Sequence, residues 1–169
     1  VLEELQACDC VIDQVYSDTP MAMFAAEAAA FGKPAVVGGY YANQIHMDVS
    51  EPLIPPGIYC HPDQIAESAE RLIVDEKFRL DIGRKARAFV REKWNPTAVA
   101  KRYVRVIDGA TPDTWFFDPY TITYLCGAGM HERQVRDLVN AVVEVGGVGA
   151  LQLTDKPTLE QRFREFCEE

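Results

Sequence analysis

Residues 10–39, CVIDQVYSDTPMAMFAAEAAAFGKPAVVGG, place two short apolar runs on either side of an alanine-rich stretch. The first run, CVIDQV (10–15), is β-branched and ends beside a polar loop, the pattern of a buried parallel strand. The loop Tyr16-Ser17-Asp18 meets Thr19-Pro20, an N-cap residue followed by proline at the first helical position. The spacing therefore predicts a helix over MAMFAAEAAAF that stops at Gly32, with Lys33-Pro34 closing it. AVVGG (35–39) reads as a second buried strand. Strand, helix and strand of this length read as a right-handed βαβ crossover in a parallel sheet.

Working outward, residues 2–7 read as the end of a helix. Residues 40–57 form a long loop with prolines at 52, 55 and 56, and IYC (58–60) reads as a third strand. DQIAESAERLIVD is an amphipathic helix whose Ile65, Ala69, Leu72 and Ile73 share a face. Further helices are expected over about 76–93 and, capped by Asn95-Pro96, to about 107. After Gly109 the pattern turns aromatic and turn-rich, TPDTWFFDPYTITYLCGAG, which marks a boundary between a unit over 1–108 and an extension over 109–169. The extension is expected to hold a helix (131–144), a strand ALQL (150–153) and a last helix from Thr158, where Thr158 and Gln161 have capping-box spacing. Together these imply an α/β fold: a Rossmann-like parallel sheet with a small α+β extension.

Composition sets the bounds. The 169 residues are 48% hydrophobic and 25% charged, with a net charge of −9, ordinary for a globular chain. The apolar runs fall far short of the roughly 20 residues of a membrane span, so a soluble protein is expected. No secretory leader opens the sequence, which begins inside an amphipathic stretch as a fragment would. The five cysteines form no C-x-x-C pair, so neither a disulfide scaffold nor a zinc site is expected. Cys8 and Cys10, two apart on a strand, should pack on one face as free thiols. Residues 77–107 hold 10 bases and 2 acids, whereas residues 1–76 hold 2 bases and 13 acids. Without interleaved aromatics the basic stretch reads as a solvated helix face and not a nucleic-acid surface, and a peripheral contact with an anionic membrane stays open.

Glu27 is the only charged residue between Thr19 and Lys33. In a helix of Met, Ala and Phe between two strands it is expected to be buried, and a buried carboxylate needs donors. A sugar diol offers two; backbone groups of the core are the alternative. The helix N-terminus lies just past the carboxyl end of a strand, where open α/β sheets bind ligands. Amides of Met21, Ala22 and Met23 there suit a phosphate. Asp13 and Gln14, at the end of the first strand, are placed either to reach a ligand or to cap a turn. Tyr40 and Tyr41 follow the second strand at the same edge and read first as packing residues. Lys33, at the far end of the helix, reads as a cap for its C-terminus. His46 and His61 lack metal-ligand partners at useful spacing, and His61 before Pro62 reads as an N-cap-region residue.

CDCVIDQV with MFAAEAAAFGKPAVV, followed by HPDQIAESAERLIVDEKFRLDIGRKARAFVREKWNPTAVAKRYVRVI, resembles the donor-binding half of a GT-B glycosyltransferase of the retaining, glycogen-synthase-like group. The likeness covers about residues 1–108. It implies a cytoplasmic enzyme that passes a sugar from a nucleotide diphosphate sugar to the hydroxyl of an acceptor, a glycan or small molecule, without a metal or other cofactor. It also implies an acceptor domain upstream, with the basic pair that neutralises the diphosphate. In that family two glutamates stand eight positions apart. The second contacts the ribose hydroxyls and matches Glu27; the first contacts the transferred sugar and falls on Thr19, a departure that removes a charge. The family's glycine-rich turn between them is Pro20-Met21-Ala22 here. A sugar-nucleotide epimerase, or a nucleotide-sugar-binding or scaffold domain without turnover, are the competing readings, and Thr19 favours the latter. The family analogy also sends the chain after 107 back toward the partner domain, with Trp115, Phe116 and Phe117 as interface residues.

Overall fold

The computed structural model describes residues 1–16, 18, 20–116 and 130–168. The fold is mixed α/β, mostly helical, around a small three-stranded parallel sheet. The strands are β1 (Val11–Ile12), β2 (Ala35–Gly38) and β3 (Ile58–Cys60), in the order β1-β2-β3. Val11 pairs with Ala35, and Val36 with Ile58. The helices are α1 (Leu2–Ala7), α2 (Met23–Ala30), α3 (Ile45–Asp48), α4 (Ile65–Val74), α5 (Glu76–Lys93), α6 (Pro96–Ile107), α7 (Glu132–Gly146) and α8 (Pro157–Glu168).

β2 is the central strand and all four of its residues are buried, as a strand covered on both faces must be. Alternation along it divides the core in two. Ala35 and Val37 join Val11, Leu5 of α1, Ala25, Ala28 and Ala29 of α2, and Ala86 and Val90 of α5. Val36 points the other way, with Cys60 and Leu72 of α4, against Ile65, Phe78 and Ile82. Helix α5 thus contributes to both clusters. Cys8 packs against the first and Cys10 against the second, so the two thiols do not share a face as expected. They straddle the chain's passage from α1 into β1, and only the second of them adjoins the strand. Burial pushes the Cys10 thiol above its usual range, against the pull of Arg79.

The link between α2 and α5 is set by two glycines. Gly32 takes φ +76°, a left-handed turn after α2. Its amide donates to Ala29 O at 2.8 Å and that of Lys33 donates to Ala28 O at 3.0 Å, the paired bonds of a Schellman ending. The backbone thus satisfies these carbonyls, where the Lys33 side chain was expected to. Gly83 of α5 sits against this turn: a Cβ on Gly83 would lie 2.0 Å from Gly32 O and 3.2 Å from Pro34 Cδ.

Three sequence expectations need correction. β1 is shorter than 10–15, although its ladder continues past Ile12, with Asp13 N–H to Val36 O at 2.9 Å and Gly38 N–H to Gln14 O at 2.8 Å. ALQL is not a strand. Val148–Leu151 is a 3-10 turn, held by Ala150 N–H to Gly147 O and Gln152 N–H to Gly149 O, and Gln152 is left-handed at φ 54°. Local bonds satisfy a segment that has no neighbouring strand to pair with. Thr158 lies inside α8, which starts at Pro157, and Gln161 bonds Glu165 at 2.9 Å in place of a capping box. The basic stretch forms α5 and α6, most of its cations exposed. Asp81 pairs with Arg84 and Lys85, and the bond from Lys85 holds its carboxyl below the usual range. No described helix is long and apolar enough to cross a membrane.

Gly83→Ala should destabilise the protein by about 2 kcal/mol in urea unfolding, because the new methyl meets backbone and neither helix can move off the core cheaply; overpacking of this kind costs about 1–3 kcal/mol. Unchanged or increased stability would show that α5 is free to shift on α2.

Candidate functional site

Helix α2 does not begin where Thr19-Pro20 would start it. Its first residue is Met23 and its N-cap is Ala22, whose side chain cannot cap. The cap is supplied from a distance: Asp13, 8% exposed, accepts from Ala25 N–H at 3.3 Å through Oδ2. The end of β1 is thereby tied to the first turn of α2, and a carboxylate sits against the positive end of the helix. Met21 is buried, Ala22 half-buried and Met23 exposed. The three amides expected to cradle a phosphate therefore belong to a turn and to the first helical residue, and the amide at the third helical position is already taken by an acid. Thr19, the other residue expected at this edge, lies outside the described residues, as does Phe117.

Glu27 is exposed, not buried. α2 turns Ala25, Ala28 and Ala29 to the core, and the remaining side faces outward. That outer side carries Met23, 79% exposed, Phe24, 39% exposed, and Ala30, with Glu27 as its one charge. Met23 and Glu27 are four apart and so share a face, about 6 Å apart along the axis at 1.5 Å per residue. Glu27 lies outside the core because the alanines around it do not all face inward: Ala25, Ala28 and Ala29 are buried and Ala30 is exposed. Alanine is small enough to sit on either face, and only its neighbours show which side is covered.

At the same sheet edge the loop after β2 is held in place by polar contacts. Tyr41 N–H donates to Asp18 Oδ1 at 3.1 Å, and its hydroxyl donates to Asp48 Oδ2 at 2.9 Å. Burial, the bond to Asp48 and the charge of Asp48 all push the Tyr41 phenol upward, so it remains a neutral donor. Gly38 closes the edge: a Cβ there would lie 2.3 Å from Val15 O and 2.5 Å from Ile65 Cδ1. The space left between Asp18, Pro20, Gly39, Tyr41 and Tyr59 is about 10 Å³, room for about one water.

Tyr40 lies edge-on to two histidines, His61 at 5.2 Å and His131 at 5.6 Å between ring centroids. Each histidine is an N-cap: Nδ1 of His61 accepts from Asp63 N–H at 3.3 Å, and Nδ1 of His131 from Arg133 N–H at 3.2 Å. Gln64 and Gln134 return the bond to the two histidine amides, at 3.3 and 3.2 Å. His61 thus takes the capping role expected of it. His131 was missed, although the H-x-x-Q spacing of 61–64 recurs at 131–134. Among the described residues no three His, Cys, Asp or Glu side chains gather to hold a metal ion.

The sequence also gave no hint of a larger cleft of about 830 Å³ between the loop after α3, the α5–α6 junction and residues 114–116. Tyr41, Phe89, Trp94, Trp115 and Phe116 supply its rings, and Lys93 and Arg102 its cations. The lining comes from two stretches far apart in the chain, 41–53 and 89–116, so no local spacing announces it.

Asp13→Ala should cost about 1–2 kcal/mol in urea unfolding, the cost of a lost helix cap, while Asp13→Asn, which keeps an acceptor oxygen, should retain most of it. Equal losses in both would mean that charge and not the capping bond is what counts. Compared with known proteins, the chain matches no protein-family model, no curated protein and no solved structure.

Proposed function

We propose that residues 1–108 are the nucleotide-sugar-binding half of a retaining GT-B glycosyltransferase, their three parallel strands belonging to a Rossmann-like sheet. The observation that carries this reading is Glu27: one carboxylate, solvent-facing, on an otherwise apolar outer side of the helix that follows β1. A surface helix ordinarily scatters several charges over its exposed side. A side of Met, Phe and Ala with a single acid suits a ligand or domain that covers it, with the acid accepting from a pair of hydroxyls. In this reading Glu27 holds the ribose of the donor, and Thr19, Met21, Ala22 and Met23 line the path toward the transferred sugar. Catalysis then consists of positioning and of stabilising charge on the leaving diphosphate. Asp13 restricts how that charge is met. Its carboxylate on Ala25 N–H makes this helix terminus a poor partner for a diphosphate, so neutralisation falls to the basic pair that the resemblance implies upstream.

The same observation about Asp13 favours a second reading, a nucleotide-sugar-binding or scaffold domain without turnover. Thr19 in place of a glutamate points the same way. Transfer or donor hydrolysis by the full-length protein separates the two.

Glu27→Gln in the full-length protein should weaken binding of nucleotide diphosphate sugars about tenfold or more in calorimetry, the scale of a charge-assisted hydrogen bond. Because Glu27 is exposed, unfolding stability should change by no more than about 0.5 kcal/mol. Wild-type protein that binds no nucleotide sugar, or a variant that binds as well as wild type, would end the donor-site reading.

A further inference from the structure

The cleft between the loop after α3, the α5–α6 junction and residues 114–116 is a concavity for which the donor reading has no use. None of Asp13, Met21, Ala22, Met23 or Glu27 lines it. At about 830 Å³ it falls within the range of small-molecule sites. Its construction follows from the turn between α5 and α6. Trp94 closes α5 as its C-cap, and Asn95 Oδ1 accepts from Ala98 N–H at 2.9 Å to start α6. At this junction Trp94 lies edge-on to Phe89, 5.3 Å between centroids at 81°. Arg102 of α6 lines the same opening. Lys93 ties this junction to the loop after α3: its ammonium donates to Pro52 O and lies 5.2 Å from the Phe89 ring centroid. Trp115 and Phe116 add further rings.

The charges differ in how far they are engaged. Lys93 is held by a carbonyl, and the carboxylate of Asp48 accepts the Tyr41 hydroxyl. Arg102 lines the cleft with no hydrogen bond, ion pair or ring contact among the described residues. In a chain with 26 acids and 17 bases, such a guanidinium in a cleft lined by five aromatic rings is a place for an anion that also stacks. We infer that this cleft binds a planar aromatic anion, its ring system between Trp94 and Trp115 and its carboxylate or equivalent head on Arg102.

Trp94 and Trp115 are the only tryptophans of the chain, so the two indole N–H signals of a ¹⁵N-labelled sample report on this cleft alone. The probes are naphthalene-2-carboxylate, the neutral naphthalene-2-carboxamide and decanoate, each titrated into the full chain. Both indole signals should move with naphthalene-2-carboxylate, which should bind about tenfold more tightly than the carboxamide. In Arg102→Ala, a change at an exposed side chain without a partner among the described residues, that preference should fall to near one while the carboxamide affinity is kept. Indole signals that stay still at millimolar probe would overturn the proposal. Equal wild-type affinity for the carboxylate and the carboxamide would overturn the role of Arg102. Decanoate binding as tightly as the naphthoate would overturn the aromatic ligand class.

Discussion

The contact of Gly83 with Gly32 is the constraint on which the arrangement of the sheet layers depends. A helix can reach both clusters of a small core only if it comes close at the point where it passes from one to the other. At that point α5 meets the turn that ends α2, and a side chain on Gly83 would hold the two backbones apart. The left-handed φ of Gly32 aims the chain from α2 into β2, and the missing side chain of Gly83 lets α5 lie across it. From there Ala86 and Val90 reach the cluster under α2, while Phe78 and Ile82, on earlier turns, reach the cluster under α4. A sheet of three short strands, two of them at its edges, has little stability of its own. The helices that clamp it supply what the ladder cannot.

A second constraint, electrostatic, operates at the opposite end of α2. With alanine at the N-cap, the first turn depends on a carboxylate from the end of β1. This bond fixes the angle at which the helix leaves the sheet, and so which of its residues face outward. If α2 turned by one residue, or about 100°, Glu27 would move toward the core, where an unpartnered carboxylate is costly. The same bond therefore supports the fold and sets the chemistry of this edge. It gives the helix its cap, keeps Glu27 in solvent, and places negative charge where a bound phosphate would otherwise be welcome.

Much of this architecture was legible in the chain because it is written locally. The limits of α5 and α6 follow from Asp75, Asn95 and Pro96, whose capping and turn preferences act within a few residues. The end of α2 follows from Gly32 in the same way. The start of α2 was misplaced because Thr19-Pro20 is a strong local signal overruled by a distant one, the Asp13 carboxylate twelve residues away from the amide it caps. ALQL failed for a related reason: apolar character suits a strand, but a strand also needs a neighbour, and no sequence window contains that information. The burial of Glu27 was misjudged because alanine gives no periodicity to read. The aromatic cleft was invisible altogether, since Phe89, Trp94, Arg102 and Trp115 form it only together with Tyr41, Asp48 and Leu53, which stand far from them in the chain.

That cleft and the outer side of α2 differ in a way that bears on what each can hold. Glu27 stands on a convex helix surface, where a ligand gains little burial unless a second body closes over it; an acid on such a surface discriminates among ligands but cannot hold one by itself. The cleft is concave, and its rings can remove an aromatic body from water without help, which leaves its cation free to choose the head group. Binding at the first position therefore requires a covering domain and should be weak in its absence, whereas the second carries its own walls. The two places present opposite charges to a ligand: a carboxylate that accepts from hydroxyls in one, a guanidinium that donates to an anion in the other. A single small molecule is thus poorly suited to serve both, and occupation of one provides no measure of the other.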